Sequence, residues 1–333
     1  MIYRRTFLSS AAAAALAAHP IAKGIAMTSN APSWPLIIAH RGASGYLPEH
    51  TLEAYRLAAE LGADFIEPDL VFSKDGHLVV RHDHYLSVST DVADRAEFAD
   101  RKTTKPGHDK PDWFTEDFTL DELKSLRARQ AFPGRNTDFD GKYQIATFDE
   151  VLDLREQLSN DLGRDIGIYP ETKVPDYFKS VGLDYLDPLL AILKARGFND
   201  TSAPIIIQSF EGDILRRLRP ETPVRLMHLF DGDALVNNEV LEDIAGYCNG
   251  IGPFKGVLVN EDRSSSGVLE AAHDKGLFVH PWTFRDDQLP PGLEDPMDEY
   301  MFFYNLGVDA LFTDFTDSAY KARFIRHALG NLK

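Results

Sequence analysis

Between His40 and Asp83 the chain reads His40-Arg41-Gly42-Ala43-Ser44, then Glu67-Pro68-Asp69, then His82-Asp83. The stretch brings together imidazoles able to move protons near neutral pH, a guanidinium suited to phosphate, and carboxylates suited to a metal ion. Each group closes an apolar run, Leu36 to Ala39, Phe65 to Ile66 and Leu78 to Val80, so each stands where a strand ends. In α/β folds, active sites are built at strand ends. Side chains on a strand alternate, so Phe65, Glu67 and Asp69 share one side and Ile66 and Leu70 the other. If the apolar side packs on helices, both carboxylates face a barrel interior, where like charges repel unless a cation sits between them. Pro68 cannot donate to a ladder, so regular pairing is expected to stop there. Glu171 and Lys173, two residues apart, repeat the device. Glu171 completes a three-carboxylate oxygen site of a kind that favours Ca2+ or Mg2+ over zinc, and Lys173 offers a fixed charge to an anionic oxygen. The same residues could instead form an ion-pair network that holds the barrel together. Leu78, Val80 and His82 share a face. One histidine in such a place is usually a packing residue, but His40 and His82 beside carboxylates and Arg41 point to acid/base work. His50, His77, His84, His228 and His280 read mostly as loop or packing residues, with His84 notable for its nearness to His82.

The elements that position these groups follow a βα rhythm. Strands are expected over Leu36 to His40, Phe65 to Val71, Ile166 to Glu171, Ile205 to Ser209, Val224 to Leu229, Gly256 to Val259, Leu277 to Trp282 and Ala310 to Thr313. Helical patterns fall at Thr51 to Leu61, Thr147 to Leu158, Leu186 to Arg196, Glu211 to Leu218, Glu239 to Cys248, Gly267 to Lys275, Asp298 to Leu306 and Ser318 to Leu329. Thr147-Phe148-Asp149-Glu150 is a capping-box signature, and Gly62, Gly197 and Gly276 stand where helices should stop. Eight strands with eight helices predict an α/β fold of the (β/α)8 TIM-barrel type. His84 to Ala146 interrupts the rhythm as a small cap insertion after the second strand region, with its own helix start at Thr119-Leu120-Asp121-Glu122. It follows a strand end, so it is expected to hang over the catalytic face, for substrate selection or for added stability.

Composition bounds the rest. The 333 residues are 44% hydrophobic, ample for a sizeable core, and carry a formal charge of -17, which argues against a nucleic-acid partner. Residues 1–26 read as a signal peptide: Arg4-Arg5-Thr6-Phe7-Leu8 resembles a twin-arginine signal, followed by an apolar run from Phe7 to Ala18 too short to span a bilayer. An ordinary Sec signal would share these features. The expected destination is the periplasm or the exterior, and the mature domain runs over 27–333. Cys248 is the only cysteine, so no intrachain disulfide forms, and it reads as a buried thiol.

His40-Arg41-Gly42 with Glu67-x-Asp69, His82-Asp83 and Glu171-x-Lys173 resembles the glycerophosphodiester phosphodiesterases, a (β/α)8 family within the phospholipase-C-like phosphodiesterases. The longer strings Ala39 to Thr51, Gly167 to Glu171, Gly250 to Pro253 and Phe312 to Phe315 are similar to the periplasmic bacterial branch. The resemblance implies hydrolysis of a small-molecule glycerophosphodiester, such as glycerophosphocholine, to sn-glycerol 3-phosphate and an alcohol. It also implies that Glu67, Asp69 and Glu171 bind one divalent metal ion, Ca2+ or Mg2+. By the same resemblance His40 and His82 are acid and base, Arg41 holds a phosphate oxygen, and Lys173 neutralises charge on phosphorus. Glu49 resembles a residue that contacts the metal or the glycerol. Gln208 and Phe210 at the fourth strand and Trp282 at the seventh are placed to line the pocket or to pack at the barrel mouth. The nucleophile is water or the substrate's own glycerol hydroxyl. Thr313-Asp314-Phe315-Thr316 lacks the proline the resemblance leads one to expect, and Thr172 occupies a variable position; neither is expected to touch the chemistry. Two rivals remain: a phospholipase-D-like enzyme on lysophospholipids or sphingomyelin, which an apolar groove would favour, and a non-catalytic surface binding protein on the same barrel. Pro290, Pro291 and Met301-Phe302-Phe303 give no clear amphipathic membrane helix, so stable membrane insertion is not expected.

Overall fold

In the computed structural model, which describes residues 34–330, the apolar runs fold as the staves of a barrel. The expected signal peptide lies outside the described residues. The first stave is β1 (Leu36–His40). The second is β2 (Phe65–Glu67), continued past Pro68 by β3 (Asp69–Phe72), on which β4 (Leu78–Val80) folds back antiparallel. β5 (Thr103–Lys105) and β6 (His108–Asp112) make a hairpin in the insertion. The third stave is β7 (Gly167–Ile168), continued by β8 (Glu171–Thr172). β9 (Ile206–Ser209), β10 (Arg225–Phe230), β11 (Gly250–Pro253), β12 (Phe278–Val279) and β13 (Ala310–Thr313) complete the eight.

Neighbouring staves are parallel: β13 pairs with β1 and β1 with β2, while β3, β8, β9, β10, β11 and β12 continue in that order. The Ile168 amide donates to the Pro204 carbonyl at 2.8 Å, joining the third stave to the fourth. The circle closes between the seventh and eighth staves, where the Asp309 amide donates to Val279 O at 3.1 Å and Phe312 to Pro281 O at 3.0 Å. Ile38, Phe65, Tyr169, Ile206, Met227 and Phe312 fill the barrel, while Ile66, Leu70 and Ile37 belong to the larger core outside it. The alternation expected at Phe65, Glu67 and Asp69 therefore holds.

The outer helices are α1 (Leu52–Glu60), α3 (Phe148–Leu162), α4 (Pro175–Ser180), α5 (Leu186–Ala195), α6 (Gly212–Leu218), α7 (Asn238–Ala245), α8 (Val268–Asp274), α9 (Pro296–Leu306) and α10 (Thr316–Gly330); α2 (Leu120–Ser125) lies in the insertion. Both capping boxes form, Thr147 with Glu150 and Thr119 with Glu122. Gly62, Gly197 and Gly276 take φ of 102°, 69° and 73°, as stops after α1, α5 and α8 require.

Three expectations need correcting. The sixth stave is Gly250–Pro253, and Lys255–Leu258 is a turn of 3-10 helix. The glycines there answer to close packing: a Cβ on Gly250 would stand 2.5 Å from Phe278 O, and one on Gly252 2.4 Å from Leu229 Cδ2. The third stave is interrupted at Tyr169-Pro170, and α10 starts at Thr316, two residues earlier than its pattern suggests. Cys248 is buried as expected, and burial pushes its thiol up to about 12.

His280 sits inside the barrel, bonded through Nδ1 to the Tyr169 hydroxyl at 2.9 Å, and burial lowers its pKa from 6.5 to about 4. A neutral buried imidazole stabilises the fold fully above pH 6.5, and that contribution is lost as pH falls from 6.5 toward 4, because the unfolded chain then binds the proton more readily. Acidifying from pH 7.5 to pH 5 should cost about 2 kcal/mol from this residue. Thermal melts should show a steeper fall in Tm over that interval for the native protein than for His280→Gln.

Candidate active site

The first stave ends in a turn that glycine makes possible. Arg41 and Gly42 take φ of 58° and 85°, and a Cβ on Gly42 would come within 2.7 Å of the Ala54 carbonyl carbon in α1. The turn aims the Arg41 amide at Glu67 Oε2, 2.8 Å away. Pro68 and Pro170 interrupt the second and third staves at the same level, with the Glu171 amide donating to Pro68 O at 2.9 Å. Below that break Asp69 stands opposite Glu171. One oxygen each of Glu67, Asp69 and Glu171 lies within 4.8 Å of the others, and all three residues are buried.

Three carboxylates this close do not all ionise comfortably. Burial, with Asp69 and Glu171 beside it, raises Glu67 well above the usual range, and burial raises Glu171 to about 8 against the pull of Lys173. Asp69 goes the other way: burial opposes its charge, but Lys173 and His50 outweigh it and hold its pKa low. Lys173 Nζ is 2.7 Å from Glu171 Oε1 and 4.0 Å from Asp69 Oδ1. Asp69 Oδ1 is buried with no hydrogen-bond partner. An orphaned anionic oxygen beside two carboxylates that burial drives to hold protons is the donor set a hard divalent cation fits.

A cavity of about 280 Å3 opens on this cluster, and His40, Arg41, Glu67, His82, Glu171, Lys173, Gln208, Phe210 and Trp282 all line it. Gln208 Nε2 donates to Glu67 Oε1 at 3.0 Å. Phe210 and Trp282 meet edge to face at 5.7 Å. Glu49 is not among the lining residues; its Oε2 accepts from Arg41 Nη1 at 2.8 Å, and Arg41, with His50 beside it, brings its pKa down to about 2 against burial. Glu49 thus holds Arg41. The two imidazoles each carry a carboxylate: His40 Nδ1 bonds Asp314 Oδ1 at 2.7 Å, and His82 Nδ1 lies 3.0 Å from Asp83 Oδ1. Burial and Arg41 lower both imidazoles, His40 to about 4, so both are neutral near pH 7.

Four features departed from what the residue pattern suggests. His50, read as a packing residue, is buried against the acidic cluster, with Nε2 2.9 Å from Asp69 Oδ2 and Nδ1 2.7 Å from the Tyr55 hydroxyl. Burial keeps it neutral, so Nε2–H donates to Asp69 and Nδ1 accepts from Tyr55. Asp314, just past the end of the eighth stave and not among the site residues the sequence suggests, holds His40. Arg285 lines the cavity and reaches Asp314 Oδ2 through Nε at 2.9 Å. No residue of the His84 to Ala146 insertion lines the cavity; its far wall comes from Gln208, Phe210, Leu229, Asp231 and Trp282, near the ends of the fourth, fifth and seventh staves. The polar stave-end position of Asp314 was the signal for it; His50 and Arg285 carried none, since their partners are set by the fold.

A closed α/β barrel that sets an acidic triad able to hold a divalent cation beside two carboxylate-held imidazoles and fixed cations has the architecture of a phosphodiesterase. The glycerophosphoryl diester phosphodiesterase family model matches residues 40–318, and the chain belongs to that family. It is 38% identical over 331 residues to a glycerophosphodiester phosphodiesterase of Arabidopsis thaliana, covering 89% of this chain and 88% of that one. It is 31% identical to one from Haemophilus influenzae, covering 85% and 88%. Among solved structures, a phosphodiesterase of Oleispira antarctica in complex with sn-glycerol-3-phosphate superposes with a TM-score of 0.62 at 22% identity, over 87% of this chain and 96% of that one. The glycerophosphodiester phosphodiesterase of Thermotoga maritima gives 0.58 at 24%, over 86% and 97%. These two establish the likeness of fold.

His50 gives a test of the cluster's support. Removing the group that orients a ligand typically costs 10- to 100-fold in metal affinity. His50→Ala should weaken divalent-cation binding by about that factor in a calorimetric titration; an unchanged affinity would return His50 to a packing role.

Proposed function

We propose that this site hydrolyses glycerophosphodiesters, glycerophosphocholine and its relatives, to sn-glycerol 3-phosphate and an alcohol. The observation that carries the reading is one cavity lined by Glu67 and Glu171 of the acidic triad, both imidazoles, Arg41 and Lys173, with Asp69 buried behind the two glutamates. Glu67, Asp69 and Glu171 would hold Ca2+ or Mg2+, as their all-oxygen set favours, and the ion would polarise the phosphoryl group as a Lewis acid. Arg41, clamped by Glu49, and Lys173 place positive charge where the phosphate gains negative charge. With Nδ1 of His40 given to Asp314 and Nδ1 of His82 beside Asp83, each imidazole keeps Nε2 for the substrate. One, neutral, takes the proton of the attacking oxygen on Nε2; the other first takes up a proton on Nε2, its imidazolium favoured by the bound anionic phosphodiester and by its carboxylate, and delivers that proton to the leaving alkoxide. Phe210 and Trp282 offer apolar faces to substrate carbon, and Gln208 fixes Glu67.

The intact set of reactive groups weighs against a non-catalytic binding barrel. One observation favours a second reading, a lysophospholipid substrate: an apolar cavity of about 390 Å3, lined by Phe254, Val259, Pro290, Leu293, Phe302 and Phe303, adjoins Trp282 through Phe254 at 5.5 Å. Among the described residues no helix is long and apolar enough to cross a membrane. Export to the periplasm or beyond by the twin-arginine route rests on residues 1–26 of the sequence alone.

Glycerophosphocholine should release glycerol 3-phosphate, followed with a coupled dehydrogenase, and excess EDTA should stop it until Ca2+ or Mg2+ is restored. Full turnover in EDTA would remove the metal assignment. Lysophosphatidylcholine, assayed in parallel, should turn over more slowly than glycerophosphocholine; the reverse order would make the second reading the correct one. His40→Ala and His82→Ala should each lower kcat by about two to four decades, and a native rate in either variant excludes that residue from proton transfer.

A further inference from the structure

Arg135 belongs to the insertion, in the loop between α2 and α3, yet its side chain is only 2% exposed while its neighbours Gly134 and Asn136 are exposed. Its guanidinium is spent on the barrel. Nη2 donates to Asp314 Oδ2 at 2.7 Å, Nη1 to the Ser44 carbonyl at 3.1 Å, and Nε to Asp287 Oδ2 at 2.7 Å. The group also lies over the Phe132 ring, 4.1 Å from its centroid. So much desolvated charge in a surface insertion needs a reason beyond covering the barrel.

The partition of Asp314 supplies one. Its Oδ2 accepts from both Arg135 and Arg285, and its Oδ1 is left to His40 Nδ1. An arginine facing a lone carboxylate prefers to bind both oxygens in a fork. With Arg135 absent, Arg285 is the only guanidinium on Asp314, and turning the carboxylate toward it would take Oδ1 from the imidazole. We infer that Arg135 is a positioning residue for the phosphodiesterase reaction: from the insertion it fixes Asp314, which in turn holds Nδ1–H of His40 and keeps Nε2 toward the cavity. The insertion then serves catalysis without lining the cavity. This rests on the phosphodiesterase reading given above.

A simpler role, docking the insertion through Asp287, predicts a different pattern. In Arg135→Met, kcat on glycerophosphocholine should fall about 10- to 100-fold, the cost of misplacing a reacting group through its support. KM should change less than about threefold, because Arg135 does not touch the cavity. Added guanidinium should restore part of that kcat. Arg135→Lys, which keeps the charge but not the fork, should lose less and guards against a folding defect in the Met variant. Asp287→Asn, which replaces the outer two-bond ion pair, Nε to Oδ2 at 2.7 Å and Nη2 to Oδ1 at 3.2 Å, by at most one neutral bond and leaves Asp314 untouched, should keep kcat within about twofold of native. A readout independent of turnover is the low-field proton signal of His40 Nδ1–H, assigned by its loss in His40→Asn. The signal should vanish or move in Arg135→Met and persist in Asp287→Asn. Failure of the native enzyme on every glycerophosphodiester would sink the phosphodiesterase reading while the proton signal still tested the link. A native kcat and an unchanged signal in Arg135→Met, or a loss in Asp287→Asn equal to that in Arg135→Met, would overturn the inference.

Discussion

Three buried carboxylates within a few ångströms of one another set the terms for the rest of this molecule. Glu67, Asp69 and Glu171 repel, and burial takes away the water that would screen them. Around them stand compensations of different kinds: the Arg41 amide on Glu67, the Lys173 ammonium on Glu171, the His50 imidazole on Asp69. The backbone is bent to supply them. Arg41 and His50 both take positive φ, at 58° and 60°, a conformation that costs free energy in a residue with a Cβ and is kept where the surroundings over-determine it. The paired breaks at Pro68 and Pro170 have the same origin. Each proline ends ladder donation but keeps its carbonyl as an acceptor, from Glu171 and from Gln208, so two neighbouring staves splay at one level without leaving the barrel.

The two imidazoles are held differently. His40 and Asp314 are buried, and Asp314 is in turn gripped by cations, so this pair has one geometry. His82 and Asp83 are adjacent in sequence, and their side chains are 33% and 24% exposed. A fixed imidazole beside the acidic cluster and a more exposed one would give the proposed acid and base unequal surroundings, which is how one site separates two proton-transfer tasks.

The staves that carry chemistry were legible in the chain because they obey period-two alternation and end in polar residues. Phe65, Glu67 and Asp69 on one side and Ile66 and Leu70 on the other need no knowledge of the fold. The sixth stave was not legible: Gly250-Ile251-Gly252-Pro253 has poor strand propensity, and its glycines answer to the neighbouring Phe278 and Leu229, a demand that exists only once the barrel has closed. His50 and Asp314 were missed for a related reason. Their partners, Asp69 and His40, are 19 and 274 residues away, and although Asp314 stands at a stave end, no local pattern names a hydrogen-bond partner on a neighbouring stave.

The insertion is where sequence reading misjudged geometry most. It leaves the chain directly after His82-Asp83 and is expected to hang over the site, but it is stitched at its base beside the second stave, where the Val80 amide donates to Ala146 O at 2.9 Å. From there it passes over the first stave, with Gln130 and Arg135 reaching the Ser44 carbonyl, and meets the eighth at Asp314. It therefore covers the side where the protons, the acidic cluster and the fixed cations lie. The uncovered lining, Phe210, Leu229, Asp231 and Trp282, comes from near the ends of the fourth, fifth and seventh staves and is the more apolar part of the cavity. A phosphodiester with its phosphoryl group on Arg41 and Lys173 would have to project one substituent along that wall. Selection among head groups would then fall to the loops of those staves, while the insertion would act on the orientation of the groups beneath it through Arg135 and Asp314.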